Sequence, residues 1–173
     1  TILGLGTLGT ACGIALKRLG FNVRGWSRRE KRVDDILCFY GDDQIDSSLL
    51  DADIVVLLLP DTPLTQNILN QHTLNLLKRG AFVLNPGRGP LIDDDALLAA
   101  LETGQIEHAT LDVFRIEPLP KNHQYWSNNK VTVIPHKASE TRPKTASQVI
   151  AMNIERAENG QELLYLVDRE NGY

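Results

Sequence analysis

Two cysteines, Cys12 and Cys38, in 173 residues are too few for a disulfide framework. They read as small core or near-surface residues of a protein kept in a reducing, cytoplasmic compartment. HExxH, paired CxxC and clustered carboxylates are all missing, so no metal site is expected. No apolar run approaches the roughly 20 residues of a membrane span; the longest, Ile54–Leu59, stops at Pro60. Lys and Arg form no dense block and the formal net charge is −4, which argues against nucleic acid and an anionic membrane surface as partners. Repeats and low-complexity stretches are absent too. There is no initiator Met and no signal peptide: Thr1-Ile2-Leu3 opens inside an apolar run that leads into glycines. It reads as the start of a fragment whose N-terminal portion is missing.

What is present is the composition of one soluble domain with a proper core, 42% hydrophobic and 23% charged. Short β-type runs alternate with helical patterns. Ile2–Leu3, Phe21–Trp26, Ile54–Leu59, Ala81–Leu84, Ala109–Val113 and Val131–Ile134 read as strands. Leu8–Leu19, Gln66–Lys78, Asp93–Thr103 and Arg142–Glu158 read as helices, with Gly20, Gly80, Gly104 and Gly160 as stops. Ile54–Leu59, apolar throughout, has the character of a strand buried on both faces. This alternation predicts an α/β fold with a doubly wound parallel sheet of the Rossmann type.

Gly4-Leu5-Gly6-Thr7-Leu8-Gly9 matches G-x-G-x-x-G between a strand and a helix, the context that motif requires. Gly4 permits the turn, Gly6 lets backbone approach a pyrophosphate, and Gly9 lets helix and strand pack. Thr7 and Leu8 open the helix whose unpaired N–H groups face the anion. A glycine-rich turn without a ligand is the plainer alternative. A site for NAD carries Asp or Glu roughly 20 residues past the glycines, at the end of the second strand. Here the chain reads Trp26-Ser27-Arg28-Arg29, with Lys31 beyond. A hydroxyl and guanidinium groups suit the 2′-phosphate of NADP(H). NADP(H) is therefore the expected cofactor; NAD(H) stays possible because of Glu30, and a merely solvated basic loop is the bland reading.

Chemistry-bearing residues follow three later strands, where open α/β sheets place ligands. Arg88 lies in Asn85-Pro86-Gly87-Arg88-Gly89, Glu117 follows Leu111-Asp112-Val113-Phe114, and His136 follows Pro135. Together they form a workable set for reducing a keto acid. Arg88 holds a carboxylate or polarises the adjacent carbonyl, His136 protonates the oxygen, and Glu117 orients the imidazole and favours its acid form. Singly, each has a dull explanation as a turn Arg, a loop Glu or a strand-capping His.

These segments, with Gly25-Trp26-Ser27-Arg28, Leu58-Leu59-Pro60, Thr62, Thr65, Glu117-Pro118-Leu119-Pro120, Trp126, Ala138, Thr141, Val167-Asp168-Arg169 and Gly172-Tyr173, resemble the D-isomer-specific 2-hydroxyacid dehydrogenases, and within them the glyoxylate/hydroxypyruvate reductase A branch. The resemblance runs nearly end to end. It implies a single domain of a two-domain enzyme: residues 1–158 as the dinucleotide-binding domain, and a C-terminal tail, 159–173, packing on a missing substrate domain of roughly 100 residues, with packing of the tail on its own domain as the alternative. It implies Arg88, Glu117 and His136 as the catalytic trio and Asp112 on the nicotinamide carboxamide. Leu59, Pro60 and Thr65 would line the cofactor cleft, Ser27 and Arg28 would receive the 2′-phosphate, and a homodimer would form through this domain. The implied substrates are glyoxylate and hydroxypyruvate, with residues 1–173 alone nearly inactive. Lys137, where an apolar residue is usual, and Pro86 depart from the pattern. Two other readings stay open: a cofactor-sensing binding protein on the same fold, and a related dehydrogenase of the glycerate type.

Overall fold

The computed structural model describes residues 1–169; Gly172 and Tyr173 of the tail motif lie outside them. The elements run β1 (Ile2–Leu3), α1 (Thr7–Arg18), β2 (Arg24–Ser27), β3 (Leu37–Tyr40), α2 (Ile45–Leu49), β4 (Ile54–Leu57), α3 (Gln71–Leu76), β5 (Ala81–Asn85), α4 (Asp94–Glu102), β6 (Ile106–Leu111), β7 (Val131–Val133) and α5 (Pro143–Glu158). The seven strands form one sheet in the order β3-β2-β1-β4-β5-β6-β7, every neighbouring pair parallel. This is the expected doubly wound arrangement. Chain order reverses between β1 and β4, where Leu3 lies opposite both Trp26 and Leu57, and there a crevice opens at the strands' C-terminal ends.

Two apolar clusters show how the sheet is clothed. Leu3, Val55, Leu57, Val83, Ala109 and Leu111 point to one face and pack with Leu49 of α2, Leu74 of α3 and Leu97 and Leu101 of α4. Ile2 and Val23 point to the other, joined by Cys12 and Leu16 of α1 and by Val56 and Leu58. Among the described residues, α1 is the helix that covers this second face near β1. Ile54 and Phe82 on it are 36% and 44% exposed, so the run Ile54–Leu59 is buried on one face and half-open on the other, contrary to the expectation from its apolarity.

Local signals explain most boundaries. Asp93 caps α4 by accepting the Ala96 N–H at 3.1 Å, with Asp94 and Asp95 in the first turn. Asn70 caps α3, accepting from His72 and Thr73 amides while the Thr73 hydroxyl accepts the Asn70 N–H. That box starts the helix at Gln71, so the helix expected from Gln66 begins later, after a turn. β3 and α2 were not expected: their stretch is short and broken by Asp34, Asp35, Asp42 and Asp43. α5 contains no buried residue. Asn153 on it makes two hydrogen bonds to the Leu164 backbone, at 2.8 and 3.1 Å, and these fold the start of the tail back along the helix.

Candidate active site

All parallel strands point their C-terminal ends to one rim, so every loop singled out in the sequence emerges there. The glycine turn comes first. Gly4 has φ 108°, and a Cβ on Gly9 would lie 1.8 Å from the Gly4 carbonyl oxygen; no side chain fits at either position. Gly6 precedes α1 with no side-chain cap, nothing stands within 4 Å of where its Cβ would be, and Gly6, Thr7 and Leu8 are exposed. A helix N-terminus with free donors and an open approach fits a pyrophosphate.

The neighbouring β2 turn is held from inside. Trp26 is buried and donates its indole N–H to the Gly41 carbonyl at 2.8 Å, while the Ser27 hydroxyl donates to the Arg29 carbonyl at 2.9 Å. Arg28 and Arg29 follow on this turn. Lys31 reaches back to the Leu5 carbonyl inside the glycine turn. That contact, which sequence reading did not foresee, brings the basic cluster beside the glycines. Across the crevice, Leu59 and Pro60 are half-buried. The Thr65 hydroxyl donates to the Pro60 carbonyl at 2.7 Å and accepts the Thr62 N–H at 2.9 Å, stapling this loop.

Arg88 stands in a turn built by Asn85. The Asn85 side chain is buried; its Oδ1 accepts the Gly87 N–H at 3.1 Å and its Nδ2 donates to the Arg88 carbonyl at 2.9 Å. The Asn-x-Gly spacing is a readable sign of such a turn. Gly89 then presses against the next loop, where an added Cβ would lie 1.9 Å from the Phe114 carbonyl carbon.

That next loop carries Glu117. Its Oε1 accepts the Phe114 N–H and its Oε2 meets His136 Nδ1, both at 2.9 Å. The Phe114 amide, the hydrogen bond to His136 and the nearby charge of Arg88 hold the Glu117 carboxyl below its ordinary range, so it is an anion across the neutral range. His136 has φ 51°, a conformation uncommon outside glycine. Asp112 holds it there: its backbone carbonyl accepts the His136 N–H at 2.9 Å, and its buried carboxylate accepts the N–H groups of Lys137 and Ala138 at 2.6 and 3.0 Å. The structure thus pairs Glu117 with His136, with Asp112 beneath the histidine turn; the Arg88 guanidinium donates to the Gly87 carbonyl at 2.7 Å on the adjoining loop, near enough for its charge to act on Glu117.

Other polar and aromatic residues fall outside this group. Tyr125 is core, 2% exposed, whereas Trp126 is 55% exposed; His72 pairs with Asp46 on the surface. Among the described residues no group of His, Cys, Asp and Glu is arranged to hold a metal ion, and no helix is long and apolar enough to cross a membrane.

A glycine turn before an uncapped helix, at the switch point of a parallel sheet, is the arrangement of a dinucleotide-binding domain, and the imidazole–carboxylate pair lies on the same rim. The chain belongs to the D-isomer specific 2-hydroxyacid dehydrogenase family, whose NAD binding domain it matches over residues 1–138. Glyoxylate/hydroxypyruvate reductase A of Serratia proteamaculans is 44% identical over 172 residues, covering 99% of this chain and 55% of that protein. The chain spans about half the length of the curated relatives it matches. A D-isomer specific 2-hydroxyacid dehydrogenase from Xanthobacter autotrophicus Py2, in complex with NADPH and MES, is 46% identical with a TM-score of 0.96, covering 99% of this chain and 71% of that one. The NADPH-dependent glyoxylate/hydroxypyruvate reductase of Sinorhizobium meliloti, in complex with NADP and sulfate, gives a TM-score of 0.94 at 33% identity, covering 99% and 56%.

Proposed function

We propose that this protein reduces small 2-keto acids, glyoxylate and hydroxypyruvate foremost, to 2-hydroxy acids with NADPH. The observation that carries the reading is the 2.9 Å contact of His136 Nδ1 with a Glu117 carboxylate that also feels Arg88. Relatives named glyoxylate/hydroxypyruvate reductase, and solved structures holding NADPH or NADP, support it.

In this reading Gly4, Gly6, Thr7, Leu8 and Gly9 hold the pyrophosphate and Ser27, Arg28 and Arg29 the 2′-phosphate, while Leu59, Pro60 and Thr65 line the cleft. When bound, the reduced nicotinamide supplies a hydride to the keto carbon. Asp112 has acceptor capacity left beyond its two backbone partners, since a carboxylate offers about four lone-pair sites, and orients the carboxamide. Arg88 binds the substrate carboxylate and polarises the carbonyl. With Nδ1 turned to Glu117, His136 gives a proton to the keto oxygen from Nε2. The reading carries with it a cytoplasmic homodimer whose pocket is closed by a substrate domain, on which the tail 159–173 packs.

A panel of 2-keto acids, assayed on the complete gene product with NADPH and with NADH, tests it. Glyoxylate or hydroxypyruvate with NADPH should give the highest kcat/KM, about tenfold or more above NADH, the worth of one charge-assisted contact. NADP(H) binding without turnover of any keto acid would instead mark a cofactor-sensing protein.

A further inference from the structure

From the contacts around the rim, we infer that Arg115 is a positioning residue: its guanidinium ties together the loops after β4, β5 and β6 and so sets the aim of the Glu117 carboxylate at His136. The inference rests on the reading above, in which Glu117 and His136 act as a pair.

Arg115 lies on the turn between Phe114 and Glu117, and its side chain is only 36% exposed. Its Nη2 donates to Asn67 Oδ1 at 2.5 Å, to the Ile92 carbonyl, and more distantly to the Pro90 carbonyl at 3.5 Å. Asn67 belongs to the loop after β4; Pro90 and Ile92 belong to the loop that carries Arg88. The Asn67 N–H itself donates to the Pro90 carbonyl at 2.9 Å. On the remaining side Arg115 Nε stands 3.9 Å from Asp94 Oδ2, while Asp94 Oδ1 accepts the hydroxyl of buried Tyr125 at 2.9 Å. Burial and the Asp94 charge push the Tyr125 phenol upward, so it remains a neutral donor.

Nη2 serves the oxygens of Asn67, Pro90 and Ile92 while Nε faces Asp94; a guanidinium spans both sides at once, and a Lys ammonium reaches one side only. The loops it joins leave no slack. Gly89 touches the Phe114 carbonyl and the Arg115 amide so closely that no Cβ fits between them. The Phe114 amide in turn fixes Glu117 Oε1, leaving Oε2 for His136. If Arg115 lets go, the 114–117 turn loses its outer anchor, and the carboxylate moves relative to the imidazole and to Arg88. Misplacement by about 1 Å is enough to lower a rate up to about a hundredfold.

The test compares wild type, Arg115→Met and Arg115→Lys in the complete gene product, using NADPH and the keto acid that wild type reduces best. Arg115→Met should lower kcat about tenfold or more while the KM for NADPH stays within about twofold. Arg115→Lys should recover part of the lost kcat. A Met variant that loses only thermal stability, with kcat unchanged, overturns the inference. Should that variant fail to fold, Asn67→Gly removes one acceptor at a position whose φ of 53° glycine accepts. It must lower kcat by a smaller factor with the KM for NADPH again within about twofold, and an unchanged kcat there also overturns the inference. Wild type that turns over no keto acid overturns the functional reading itself, a result separable from inert Arg115 variants in an active enzyme.

Discussion

Glu117 is where a single residue decides most. Its carboxyl has an ordinary value of 4.5 and is held lower in the fold by the Phe114 amide, His136 and Arg88. A carboxyl with a depressed native value adds stability above its unfolded value and loses it as pH falls through the lower native one. Urea midpoints of wild type should therefore exceed those of Glu117→Gln at about pH 5.5, and the gap should close toward about pH 3. A gap that persists at the acid end would mean that the carboxylate charge is not what matters. Asp112 has a second task that residue order did not disclose. The partners of its carboxylate are the amides of Lys137 and Ala138, and main-chain donors leave no mark in a side-chain pattern. Asp112→Ala should cost about 1–3 kcal/mol by urea unfolding, through amides left without an acceptor; no loss would mean the histidine turn holds itself.

For the elements, Gly89 gives the sharpest expectation. A methyl group there meets the Phe114 carbonyl at under 2 Å, so Gly89→Ala must push the β5 and β6 loops apart. Unfolding should show a loss of about 1–3 kcal/mol from overpacking, and turnover should fall with it; full stability and activity would show that the loops can separate freely. Which elements were legible follows from the same physics. β4 and β5 announced themselves as apolar runs that stop at turn residues, and α4 through its Asp-rich first turn; β6 begins at Ile106, ahead of the expected Ala109, because Glu107 and His108 interrupt its apolar pattern. β3 did not, because Leu37–Tyr40 is a short edge strand beside β2 alone, half-covered along its length. α2 is a five-residue helix, too brief to show a period. The α3 start is not legible because the apolar rhythm runs on through Asn70 from Gln66. Its capping box decides the boundary.

Taken as a whole, the molecule is asymmetric. That Arg88, Glu117 and His136 lie on loops at one rim was legible in the sequence, because parallel strands send every post-strand loop to one side, whatever the loops contain. The apolarity left outside was harder to foresee. Ile150 and Ile154 on α5 and Leu166 and Val167 beyond it are each more than half exposed. His136 and Glu117 side chains are 54% and 38% exposed, so the residues described here form an open site, and the low-water surroundings that strengthen such a pair require a covering surface. The arrangement itself is best tested at the histidine. In the complete gene product, His136→Ala should bind NADPH within about twofold of wild type while keto-acid-dependent NADPH oxidation falls about 10²- to 10⁴-fold, the usual contribution of a positioned general acid. Turnover that survives this substitution undiminished would contradict the account.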